Sequence, residues 1–232
     1  MRKNKMMRIA SALLVAVLLT TCAISGTFAK YVTKKTSNDV ARVAKWGVEI
    51  TAATDTMFDK EYYKKGSTTD LAVKTDISYG DKNLVAPGTE GKLTDMTLSG
   101  TPEVAVSVTY VATVKLTGWT INTSEDYFPI VFTLEDKTYG VAGNGTLDYE
   151  YADSAALAAG LKSAIEGLAK EYPVNTDLST VATDAPTLTW AWAFEPAAGN
   201  TYHTNEKDTK LGDLATLPEI SIIIETTVSQ ID

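Results

Sequence analysis

Cysteine and histidine are nearly missing from this chain, which holds one of each in 232 residues. Cys22 falls within the first 29 residues, so everything after them lacks thiol and disulfide chemistry. With His203 as the sole imidazole, a three-histidine metal centre and a zinc-protease helix are excluded, and no phosphate-binding loop occurs. Acidic residues are absent from positions 1–29, which carry Arg2, Lys3, Lys5 and Arg8. The remaining 203 residues hold 17 basic and 29 acidic side chains, a net charge of −12 that repels nucleic acid and anionic membranes. Only one long apolar run exists, Ile9–Ile24, which is too short and solitary for a polytopic membrane protein. Hydrophobic residues make up 44% and charged residues 22%, so the chain is not an acidic disordered tail either.

The basic start, the apolar run and Ser25-Gly26-Thr27-Phe28-Ala29 have the layout of a signal peptide cut between Ala29 and Lys30. Thr21 ahead of Cys22 is a poor match to a lipoprotein site, and the sequence ends Ser229-Gln230-Ile231-Asp232, without an anchoring signal. A secreted domain without disulfides points to a Gram-positive bacterium. The expected division is a signal peptide at 1–29, an extension at 30–40 and one domain at 41–232.

Threonine occurs 34 times, and Thr, Val, Ile, Tyr and Trp suit a pleated surface because branching or bulk at Cβ restricts χ1 in a helix. Apolar and polar residues alternate over Glu103–Thr117, Leu188–Phe194, Ile220–Ser229, Ile130–Leu134 and Ala44–Ile50. Turn signals such as Pro87-Gly88 and Gly143-Asn144-Gly145 lie between the runs. Asp153–Tyr172 instead spaces Ala156, Leu157, Leu161, Ile165 and Leu168 by three or four, predicting one helix that Pro173 ends. The expected fold is all-β: an antiparallel β-sandwich of about eight strands, with the amphipathic helix in a crossover loop.

No catalytic, cofactor-binding or metal-binding residue is expected, and hence no enzyme. His203 lies in the polar run Gly199–Lys207 and reads as a solvated loop residue. Asp55, Asp59, Glu61, Glu206 and Asp208 read as solvated charge rather than a glycosidase pair. A calcium site on Asp208 and Asp213 lacks the D-x-D-x-D spacing. Trp46, Trp190, Trp192 and Phe194 are read as core aromatics, since large rings dominate β-protein interiors.

Several segments together carry a resemblance: Ala29-Lys30-Tyr31-Val32-Thr33; Ala41-Arg42-Val43-Ala44-Lys45-Trp46-Gly47-Val48; Val85-Ala86-Pro87-Gly88-Thr89-Glu90-Gly91; Leu188–Glu195; Asp208-Thr209-Lys210-Leu211-Gly212; and Val228–Asp232. Their arrangement resembles exported Firmicutes proteins of the TasA and camelysin group, the fibre proteins of biofilm matrix. The resemblance implies a jelly-roll-like sandwich, processing by a signal peptidase and head-to-tail assembly into extracellular fibres. It also implies that the segment after the cut adds as a strand to the next subunit, here Lys30–Thr36 with Tyr31, Val32 and Thr33 at its centre. The expected partners are the chain itself or related matrix proteins, with membrane contact only before cleavage. The alternative is a monomeric adhesin or carbohydrate-binding module. Burial of Trp190 and Trp192 favours the structural reading, and their exposure in one plane would favour sugar binding.

Overall fold

A computed structural model describes residues 9–17, 42–51, 57–75, 83–93, 97–181, 187–195 and 198–231. The chain divides into two compact units, Met1–Arg42 and Val43–Asp232. In the first, residues 9–17 form helix α1, on which Ile9, Leu13, Leu14, Val15 and Val17 are exposed. Among the described residues no helix is long and apolar enough to cross a membrane. The expected cleavage site at Ala29 and Lys30 and the expected donor residues Tyr31, Val32 and Thr33 lie outside the described residues.

The second unit is mostly β, with several antiparallel sheets and few helices. Its strands are β1 (Glu49–Thr51), β2 (Glu61–Tyr63), β3 (Leu71–Lys74), β4 (Glu90–Lys92), β5 (Thr97–Ser99), β6 (Val106–Thr117) and β7 (Thr120–Ile121). They continue with β8 (Glu125–Asp126), β9 (Ile130–Leu134), β10 (Lys137–Val141), β11 (Tyr149–Tyr151), β12 (Lys170–Tyr172), β13 (Leu188–Trp192) and β14 (Glu219–Gln230). The helices are α2 (Ser154–Glu166), α3 (Leu178–Val181) and α4 (Asn205–Gly212). One sheet has the order β11-β10-β9-β13-β4 and another the order β12-β6-β14. The pairs β1–β5, β2–β3 and β7–β8 form small two-stranded sheets. One pair, β10–β11, is parallel, a departure from the all-antiparallel expectation.

The alternating runs became strands because their apolar sides had a common place to go. From β6, Val106, Val108, Tyr110 and Ala112 are buried, from β9 Ile130, Phe132 and Leu134, and from β13 Leu188, Trp190 and Trp192. Leu157, Leu161 and Ile165 of α2 complete the same core. The α2 helix leaves one sheet at β11 and delivers the chain to the other at β12. Its start is capped by Asp153, whose side chain accepts from the Ala156 amide at 2.8 Å. It is shorter than predicted, ending at Glu166 rather than reaching Tyr172. Lys170–Tyr172 are drawn instead into a ladder with Val106–Val108, where backbone pairing outweighs the helical spacing of Leu168. Gly160 inside α2 forgoes about 1 kcal/mol of helix preference. A Cβ there would lie 2.1 Å from the Tyr151 ring, so the missing side chain lets β11 pack on the helix.

Two expected core aromatics are not in the core. Trp46 is 41% exposed and precedes β1, and Phe194 is 67% exposed and follows the end of β13. Both stand outside a strand, one before it starts and the other after it ends, so alternation does not fix their direction. Trp190 and Trp192 are 1% and 5% exposed. The Trp190 indole donates to the Met57 carbonyl at 2.9 Å and meets Phe58 and Tyr62 with ring centroids 5.5 and 5.7 Å away. Gly91, opposite Trp190 on β4, makes this possible. A Cβ at that position would come within 2.4 Å of both the Met57 carbonyl oxygen and the Trp190 Nε1.

Candidate functional site

Two places combine unusual geometry with access. The first is the outer edge of β14. All twelve of its residues pair with β6, from Glu219 opposite Thr117 to Gln230 opposite Val106. The Ala112 amide donates to a Glu166 oxygen at 3.1 Å, away from β14, so the Ala112–Ile224 pair is of the non-hydrogen-bonded kind. Alternation then turns the backbone of Ile220, Ile222 and Ile224 outward from β6. Among the described residues no strand pairs with that side. The side chains of these three residues reach the core and are half-buried, whereas Ile223 faces solvent. A long edge strand of this kind is a template for another strand.

The second place is a cleft of about 680 Å³ at one end of β13. Pro87-Gly88 turns the chain there, with Gly88 at φ 83°, and the Gly88 amide donates to the Trp192 carbonyl at 2.8 Å. Thr89 braces the turn, its hydroxyl donating to the Ala86 carbonyl at 2.6 Å. Tyr62 and Tyr63 of β2, Trp192 of β13 and Phe194 form the aromatic part of the lining. Lys65, Glu90, Glu195 and Asn200 supply charge and amide groups. Asn144 enters from a loop whose flanking Gly143 and Gly145 both have positive φ. Two buried donors of residues lining this cleft, Asn144 Nδ2 and Trp192 Nε1, have no hydrogen-bond partner among the described residues. A buried polar group left unpaired costs about 1–3 kcal/mol.

His203 also lines the cleft, and it is not the solvated residue expected: its side chain is 3% exposed. Its Nε2 lies 3.0 Å from Asp208 Oδ2, and the Tyr127 hydroxyl donates to the other oxygen of the same carboxylate. Burial, followed by that carboxylate, pushes the Tyr127 hydroxyl far above the usual phenol range. Burial also pushes Tyr202 up to about 12, and its hydroxyl accepts from the Phe128 amide at 2.8 Å. Asp208 is therefore enclosed rather than solvated as expected, and its two oxygens are committed to His203 just ahead of α4 and to Tyr127 between β8 and β9. The network was missed because Thr204 through Lys210 is polar throughout. Its helix signals were present: Thr204 caps α4 by accepting from the Lys207 amide, Glu206 and Asp208 stand in the first turn and Lys210 in the last.

The other carboxylates considered for catalysis do not converge. Glu61 pairs with Lys74 at 3.1 Å and Glu206 with Lys210 at 2.7 Å. Asp59 accepts from the Lys60 amide at 2.6 Å, and Asp55 lies outside the described residues. Asp213 forms the C-cap of α4. Among the described residues no group of three His, Cys, Asp or Glu side chains could hold a metal ion. Compared with protein-family models, curated proteins and solved structures, the chain has no match in any of the three.

Proposed function

We propose that this chain is a secreted structural protein of a bacterial surface or matrix, a jelly-roll-like sandwich that assembles head-to-tail into fibres. Cleavage between Ala29 and Lys30 frees residues 30–40, which add as a strand to the next subunit. The observation that carries this reading is the outer edge of β14, where the backbone of Ile220, Ile222 and Ile224 turns away from β6. A strand added there gains backbone hydrogen bonds, and alternate side chains provide selectivity. A contact between two different surfaces propagates as a filament when its rotation does not close. Charge supports the pairing: residues 30–40 carry a net +2, and residues 41–232 a net −14. Burial of Trp190 and Trp192 favours a packing role over sugar stacking on that strand. The α2 link between the two larger sheets and the core drawn from both support the sandwich.

Electron microscopy of three purified forms tests the reading: the chain starting at Lys30, the chain starting at Ala41, and Ile222→Pro. Proline at Ile222 removes an outward amide and leaves the bonds toward β6 in place. Fibres are expected from the first form alone, shortening as salt screens the +2 against −14 attraction. Equal fibres from the form starting at Ala41 would overturn donor-strand addition. Fibres from Ile222→Pro would move the acceptor away from β14.

A further inference from the structure

The geometry points to the cleft beside β13 as a binding site for a neutral oligosaccharide, a role that neither requires nor follows from fibre assembly. Its volume, about 680 Å³, lies within the ~300–1,000 Å³ usual for ligand sites. Its lining is chemically mixed in a particular way. Tyr63 and Phe194 are large, exposed rings at the opening, and Trp192 stands further in. Sugar rings present apolar C–H faces that stack on aromatic surfaces. Their hydroxyls both donate and accept, which suits an opening that offers the carboxylates of Glu90 and Glu195 as acceptors and the Asn200 amide and Lys65 ammonium as donors.

The two orphan donors narrow the choice of ligand. A buried indole N–H normally finds a partner, and an unsatisfied buried group in a native fold calls for an explanation. Trp192 Nε1 and Asn144 Nδ2 belong to different segments, yet both residues line this cleft. Both nitrogens are buried, so engaging them takes a side-chain adjustment of the kind common at binding surfaces. A ligand rich in oxygen satisfies them, whereas a cation leaves them unpaired. Glu90 and Glu195 outnumber Lys65 at the opening, which disfavours an anionic sugar or a phosphate. Phe194, misplaced for a core residue, has a use here: its side chain packs over Gly88, where a Cβ would come within 3.3 Å of the ring, fixing the ring at the rim.

Titration of the purified protein with maltotriose, cellotriose, N,N′-diacetylchitobiose and trigalacturonate tests the assignment, read by tryptophan fluorescence and calorimetry. At least one neutral sugar is expected to bind at millimolar concentration or below, with trigalacturonate weaker. Phe194→Ala, at an exposed position, should keep the native melting temperature and weaken binding about tenfold. Asn144→Ala should also weaken it, with circular dichroism confirming the fold. Absence of binding by all three neutral sugars would overturn the assignment. Unchanged affinity in both variants, or tighter binding of trigalacturonate, would do so equally.

Discussion

Strands β13 and β14 look alike as sequence and live differently in the fold. Leu188, Trp190 and Trp192 alternate with Thr189 and Ala191, and Ile220, Ile222 and Ile224 recur with the same period of two, although Ile223 stands between the last two. The first set is buried, because β13 is flanked by β9 on one side and β4 on the other. The second is only half-buried, because among the described residues β14 has β6 as a neighbour on one side alone. Alternation reports which side of a strand faces the core. It does not report how many neighbours the strand has, and that number separates a packed interior from an edge available to a partner.

The largest test of this contrast is Trp190→Ala. It removes a filled volume at the centre of β13 together with the bond to Met57, and should cost about 3–5 kcal/mol in urea unfolding. A loss as small as that of an exposed residue would remove the distinction between the strands. Gly91→Ala should cost about 1–3 kcal/mol by overpacking, since the new Cβ collides with the Met57 carbonyl and the Trp190 indole. A native melting temperature for this variant would show that β4 can retreat from β13.

Acid sharpens the contrast at another edge. Strand β11 closes one side of its sheet, and Asp148 just before it accepts from the Thr138 amide at 3.0 Å and from Lys137 at 3.1 Å. The Thr138 amide first, and then Lys137, hold the Asp148 carboxyl down to about 2 from its ordinary 3.8. A depressed carboxylate stabilises fully above its ordinary value and loses that contribution as pH falls toward its folded value. The Thr138 amide should therefore stay protected from hydrogen exchange at pH 5 and lose protection as pH falls from about 4 to 2. Steady protection down to pH 2 would show that the carboxylate does not hold this edge. The smallest expected effect belongs to Ile223→Ala, on the solvent side of β14, within about 0.5 kcal/mol.

Much of the strand content was legible because period-2 runs are local: β6, β9, β13 and β14 all fall on predicted alternation. What was not legible depended on distant partners. The end of α2 was set by pairing of Lys170–Tyr172 with β6, some sixty residues earlier. His203 looked solvated beside Asn205, Glu206 and Lys207, and its bond to Asp208, which the Tyr127 hydroxyl holds from the other side, accompanies its burial. Trp46 and Phe194 share the composition of the core but sit past the ends of strands. The cleft was scattered across the chain from Tyr62 to His203, with only the Pro87-Gly88 and Gly143-Asn144-Gly145 turns visible as punctuation.

The twelve-residue pairing of β6 with β14 also has a consequence in time. Roughly a hundred residues separate Thr117 from its partner Glu219. Ribosomes add about 5–20 residues per second, so β6 exists for about 5–20 s before its partner is made. Contacts this distant in sequence also close slowly. During that interval the core-facing Val106, Val108 and Tyr110 are without the strand that later flanks them along their full length.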